Sequence, residues 1–173
     1  MKGIIIYQGR YGATRQYAEW LQEALKIPAF PAENVPNDLP QYDFLLIGSS
    51  VYIGKLEIRH WFKKNSAAIG SKKIFFFLVS GTPHHETEKL EAYLRSGISN
   101  QLRQKIEVFF LAGRLNIKKL SLFDRFMLRM GATLTRDKEV KKGMLTDYNH
   151  VKKENLSELI ARVKTVNEPH PGT

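Results

Sequence analysis

Gly9-Arg10-Tyr11-Gly12-Ala13-Thr14 is the segment whose residue types and spacing are best suited to chemistry. It follows the apolar run Ile4-Ile5-Ile6 and leads into a helical pattern in which Tyr17, Ala18, Leu21, Ala24 and Leu25 share one face. A strand, a glycine-bearing loop and a helix together make an anion site. The backbone N–H groups at the helix start have no partner of their own, and the helix dipole favours negative charge there. Glycine lets the backbone come close to a ligand and take φ > 0. The loop lacks the lysine of a P-loop and the glycine spacing of a dinucleotide fingerprint. It therefore suits a single terminal phosphate, held by Gln8, Arg10, Tyr11, Gly12, Ala13 and Thr14. Many strand-to-helix turns carry Gly and Thr with no ligand, and on this loop alone that alternative stays open.

A second loop reads Gly48-Ser49-Ser50-Val51-Tyr52-Ile53-Gly54 after the apolar run Phe44-Leu45-Leu46-Ile47. Its small residues permit a close approach to a flat ring. Tyr52 can stack on such a ring, and Val51 or Ile53 can cover its edge. An ordinary surface turn with a half-buried tyrosine is the competing reading. A third loop, Ser80-Gly81-Thr82, follows Ile74 to Val79 and offers N–H and hydroxyl groups. His84-His85 beside Glu86 places no third ligand by spacing, so no metal site is expected.

These loops need a scaffold. The runs 4–6, 44–47, 74–79 and 108–112 are continuously apolar, which means strands buried on both faces. Helical patterns at 57–68, 86–96 and 148–165 alternate with them, and a short strand is expected within the proline-rich 28–40. Alternating strands and helices predict a parallel sheet with helices on both sides. Open sheets of this kind bind ligands beyond the carboxyl ends of their strands, where all three loops would converge.

The chain has 173 residues, suited to one domain, and no cysteine, which excludes disulfides and thiolate chemistry. No signal peptide or membrane-spanning stretch is expected. Its 27 Lys/Arg against 17 Asp/Glu give a net charge of +10. Residues 103–142 hold eleven of those cations and four of the acids, a local balance of +7. Such a block can meet nucleic acid, an anionic membrane or an acidic partner, or can simply be a solvated surface. The absence of any reading motif argues against nucleic acid. Within it, Leu120, Phe123, Met127 and Met130 share a helical face among Lys118, Lys119, Arg125 and Arg129. That face either packs on the domain or docks an apolar partner.

Tyr7 to Thr14 with its following helix resembles the FMN-phosphate loop of the flavodoxin superfamily. Gly48 to Lys55 resembles the second flavin loop of one branch. Leu111 to Leu115, Leu122 to Met127 and Thr146-Asp147-Tyr148 resemble the C-terminal part of the flavodoxin-like, quinone-dependent protoporphyrinogen dehydrogenases. The resemblance implies a single flavodoxin-like domain over 1–173, with a five-stranded parallel sheet in a three-layer sandwich. A basic amphipathic insertion would occupy about 114–142. It implies FMN held by the phosphate-loop residues above, by Ser49, Ser50, Val51, Tyr52, Ile53 and Gly54, and by Ser80, Gly81 and Thr82. Gln8 and Gly9 depart from the family pattern, so Arg10 is expected to supply a charge-assisted bond to phosphate. Arg114, Lys118 and Lys119 would suit the propionates of a porphyrinogen. The implied activity is FMN-dependent oxidation of protoporphyrinogen IX or a similar substrate, with a quinone acceptor. The implied setting is cytoplasmic, with peripheral contact at the inner face of the membrane through 114–142. No side chain is singled out as acid or base. A flavodoxin-type carrier between proteins is the alternative, and a flavin-free regulatory or membrane-binding module is a third reading.

Overall fold

Phe75, Phe76 and Phe77 lie side by side in the chain and all three are fully buried. Only a strand covered on both faces can hide such a run, because successive side chains point to opposite faces. Burial of each phenylalanine contributes about 1.5–3 kcal/mol. Together they rival the roughly 5–15 kcal/mol of net stability of a whole domain, so the register of this strand is fixed.

Residues 1–167 are described by a computed structural model of the chain. The elements in order are β1 (Gly3–Gln8), α1 (Ala13–Leu25), β2 (Ala29–Pro31), β3 (Phe44–Tyr52), β4 (Lys55–Leu56), α2 (Arg59–Ile69), β5 (Lys73–Ser80), α3 (Thr87–Arg95), α4 (Asn100–Arg103), β6 (Ile106–Ala112), β7 (Arg114–Leu115), α5 (Leu122–Leu134), α6 (Lys138–Met144), β8 (Tyr148–Asn149) and α7 (Ser157–Asn167). Five strands form a parallel sheet in the order β2-β1-β3-β5-β6, and β4 folds back antiparallel on the end of β3. One face carries Ile4, Ile6, Leu45, Ile47 and Phe76 against Phe62 and Leu94 from α2 and α3. The other carries Ile5, Leu46, Phe75 and Phe77 against Tyr17, Leu21 and Leu159 from α1 and α7. This is the three-layer α/β arrangement of the flavodoxin fold.

At the carboxyl edge the chain leaves the sheet after β6. Gly113 N donates to Ser80 O at 2.8 Å, and His150 N donates to Gly113 O at 3.1 Å. Between these ties, β7 pairs with β8 through Arg114↔Asn149 and Leu115↔Tyr148. The excursion expected over 114–142 therefore closes only at 149. Two helices fill it. Ser121 caps α5 by accepting from Asp124 N at 3.0 Å, and Asp137 caps α6 by accepting from Glu139 N at 2.8 Å.

The helix read over 148–165 is shorter than the pattern suggested. Tyr148 and Asn149 are strand, 153–156 is a tight 3-10 turn, and α7 starts at Ser157. Asn155 is held there by its Nδ2, which donates to Tyr17 Oη at 2.6 Å, and Tyr17 in turn donates to Ala112 O at 2.8 Å. Residues 168–173, included in the single-domain reading of 1–173, lie outside the described residues.

Candidate functional site

Between β1 and α1 the loop is shaped to receive an anion. Gly12 precedes the helix at φ 79°, ψ −2°, a left-handed conformation that favours glycine, and no side chain caps the helix. The N–H groups of the first turn thus keep no side-chain partner. Thr14 is buried, at 1% exposure, and among the described residues its Oγ1 has no hydrogen-bond partner. Leaving a buried hydroxyl unpaired costs about 1–3 kcal/mol. A Cβ placed on Gly9 would come within 2.4 Å of that same Oγ1. A side-chain-free cradle, open N–H groups and an orphaned hydroxyl together fit a phosphate group.

The loop opens into a cavity of about 610 Å³, within the range of small-molecule and cofactor sites. Its floor is made by Ala13 and Thr14, by Ser50 to Ile53, and by Ser80 and Gly81. Its roof is α5, through Phe126, Met127 and Met130, with Tyr148 at one wall. The apolar side of α5 is therefore not packed on the sheet. Only Asp124 and Ala132 of that helix are buried, while Leu122 is 82% and Phe123 60% exposed.

Asp124 joins roof to floor. Its carboxylate accepts from the phenols of Tyr11, on the first loop, and Tyr52, on the second. The Arg10 guanidinium lies 3.7 Å from the same carboxylate and 3.3 Å from Glu57, and stacks 3.7 Å over the Tyr52 ring. Glu57 also accepts from Ser50 Oγ at 2.5 Å. Burial by itself favours the neutral acid at Asp124. The hydrogen bonds from Tyr11, Tyr52 and Ser121 and the charge of Arg10 outweigh it, and hold the carboxyl below its ordinary value. Burial, then the bond to Asp124, pushes the Tyr11 phenol up; the bond to Asp124 is the main cause at Tyr52. Both phenols thus stay donors near neutral pH.

Of the residues expected to hold a cofactor, Arg10, Tyr11, Ala13, Thr14, Ser50, Val51, Tyr52, Ile53, Ser80 and Gly81 line this cavity. Gln8, Gly12, Ser49, Gly54 and Thr82 do not. Ser49 is fully buried and committed elsewhere, donating to Ser50 O at 2.8 Å and accepting from Ile58 N at 3.3 Å. Gly54, at φ 70°, completes the turn from β3 to β4. Thr82 Oγ1 lies 3.1 Å from Tyr93 Oη. Arg10 is turned to carboxylates, because Glu57 and Asp124 flank it.

A second cavity of about 700 Å³ adjoins the first and is lined by Arg114, Lys119, Asn116, Asp147 and Tyr148. Lys118 lines neither. Asp124, Glu57 and Tyr148 were not among the expected site residues. Asp124 carried one signal, an acidic residue inside an apolar helical stretch. Tyr148 stood only in a stretch that carries the resemblance, with no role attached, and Glu57 carried no signal, because only the fold brings them to the loops.

A model of the flavodoxin domain family matches residues 4–142. The chain belongs to this family. It is 30% identical over 168 residues to a protein named protoporphyrinogen IX dehydrogenase [quinone] from Escherichia coli strain K12, covering 87% of this chain and 91% of the relative. In fold it is similar to the flavodoxin of Fusobacterium nucleatum solved bound to flavin mononucleotide, with a TM-score of 0.51 at 10% identity, over 96% of this chain and 99% of that one.

Proposed function

We propose that this flavodoxin-family chain binds FMN in the cavity beneath α5 and oxidises protoporphyrinogen IX, or a closely similar reduced tetrapyrrole, with a quinone as acceptor. The carrying observation is the apolar roof. Phe126, Met127 and Met130 stand over the loops that would border the ring, and give a flat apolar substrate an apolar surface beside it. A carrier between proteins has no use for such a roof. The net charge of +10 also suits an anionic substrate. The Escherichia coli relative, whose printed name states this reaction, supports the choice of substrate.

The phosphate belongs at Thr14 and the start of α1, and the ring beside Ser50 to Ile53, Ser80 and Gly81. FMN supplies the redox chemistry when bound, and the protein supplies position and electrostatics. Tyr52 is kept in place by Asp124 and Arg10. Lys119, in the second cavity, meets the substrate carboxylates. The side chains of α5 line the apolar side of the cavity. Electrons and protons leave the tetrapyrrole and appear on the quinone as quinol. The exposed ridge of α5, with Leu122 and Phe123 beside Lys118 and Arg129, is the surface for contact with an anionic bilayer that holds the quinone.

Anaerobic turnover tests the reading. FMN-loaded protein with protoporphyrinogen IX and a quinone is expected to generate porphyrin fluorescence, and flavin-free protein to generate none. Loaded protein that leaves the porphyrinogen untouched but relays electrons from a flavoprotein reductase to a protein acceptor would favour the carrier instead.

A further inference from the structure

We infer that Arg114, at the start of β7, is the cation that recognises the FMN phosphate, and that Arg10 is a strut for Tyr52; this rests on the FMN reading above. Two arginines stand near the phosphate loop, and their surroundings differ. Arg10 sits between two carboxylates, 3.3 Å from Glu57 and 3.7 Å from Asp124. Its charge is more than neutralised, and a phosphate placed beside it would meet net negative charge. Its flat face is occupied too, stacked 3.7 Å over the Tyr52 ring.

Arg114 comes to the loop from the other side. Its Nη2 donates to Tyr11 O at 3.4 Å and lies 2.9 Å from the place a Cβ on Gly12 would take. The guanidinium therefore rests against the left-handed residue that opens α1. Among the described residues it forms no salt bridge. It lines both cavities and so stands at their shared wall, with Ala13 and Thr14 in the first. A partly buried free cation, uncapped N–H groups and the buried, unpartnered Thr14 hydroxyl lie around one opening. Arginine presents a fork of donors that matches phosphate geometry. The pairing of β7 with β8 is what delivers the side chain there, 100 residues after the loop it serves.

The test compares FMN with riboflavin, which lacks the phosphate. Both are titrated into flavin-free protein by quenching of flavin fluorescence, for the wild type, Arg114→Gln, Arg114→Ala and Arg10→Gln. A charge-assisted contact predicts that FMN affinity falls about 10- to 150-fold in both Arg114 variants. Riboflavin affinity should stay unchanged, which also reports an intact fold. Arg10→Gln should weaken both flavins in similar proportion. The assignment is overturned if the Arg114 variants keep the wild-type preference for FMN, if Arg10→Gln abolishes it, or if the Arg114 variants lose both flavins alike. Wild-type protein that binds neither flavin would instead overturn the FMN reading itself.

Discussion

Thr14 sets two measurements against each other. Among the described residues its buried hydroxyl has no partner, so removing it should cost the empty fold nothing and the filled site a hydrogen bond. Thr14→Val is expected to leave the melting temperature of flavin-free protein equal or higher, and to weaken FMN about tenfold. Calorimetry and fluorescence titration read the two effects; a drop in melting temperature with unchanged FMN affinity would count against the phosphate assignment. Asp124 gives a pH signature. Its folded carboxyl titrates below the ordinary value of 3.8, so its stabilisation is fully present above 3.8 and is lost as pH falls from there through the folded value. Acid unfolding of wild type should therefore steepen in that window, and Asp124→Asn should flatten the profile while lowering stability at neutral pH. Loop residues such as Thr14, Ser50 and Gly81 were legible in the sequence because small and polar residues end apolar runs there. Glu57, Asp124 and Tyr148 were not, because their roles depend on contacts with partners distant in the chain. The surroundings of Arg10 were hidden for the same reason: its type suits phosphate, and only the fold shows the two acids that flank it.

The same contrast holds for elements. Four strands of the sheet were readable from unbroken apolar runs, and α1 from its period, since each buries a full face; β2 was legible only as a short strand within the proline-rich 28–40. The start of α7 was not, because its apolar period of Leu156, Leu159, Ile160 and Val163 sets in late and the preceding residues serve the β7–β8 pair. The amphipathic stretch was legible as a helix, but its sequence left packing and docking both open. In the structure its apolar side chains roof the cavity and extend into solvent. If that ridge meets a bilayer, the protein should cosediment with vesicles rich in phosphatidylglycerol, less at high salt, and little with phosphatidylcholine alone. Leu122→Ser with Phe123→Ser should reduce vesicle binding and change stability by only about 0.5 kcal/mol, as expected for surface positions. Undiminished binding by the double variant would assign the ridge to something other than lipid.

Across the whole molecule, chemistry and charge are concentrated at one end. The carboxyl ends of β1, β3 and β5 supply the floor, and the 114–149 excursion, anchored at Gly113 and closed by β8, supplies the roof and, with nine Lys/Arg against four Asp/Glu, half of the net charge of +10. An acidic electron-transfer partner could meet this end as readily as lipid, but a basic one would be repelled. Among the described residues no helix is long and apolar enough to cross a membrane. Residue-resolved hydrogen exchange on flavin-free protein, with and without saturating FMN, measures the central point most directly. Protection is expected at 12–14, 50–53, 80–81 and along the inner side of α5, with one FMN per chain. Absence of saturable binding, or protection confined to another part of the molecule, would contradict a flavin site beneath α5.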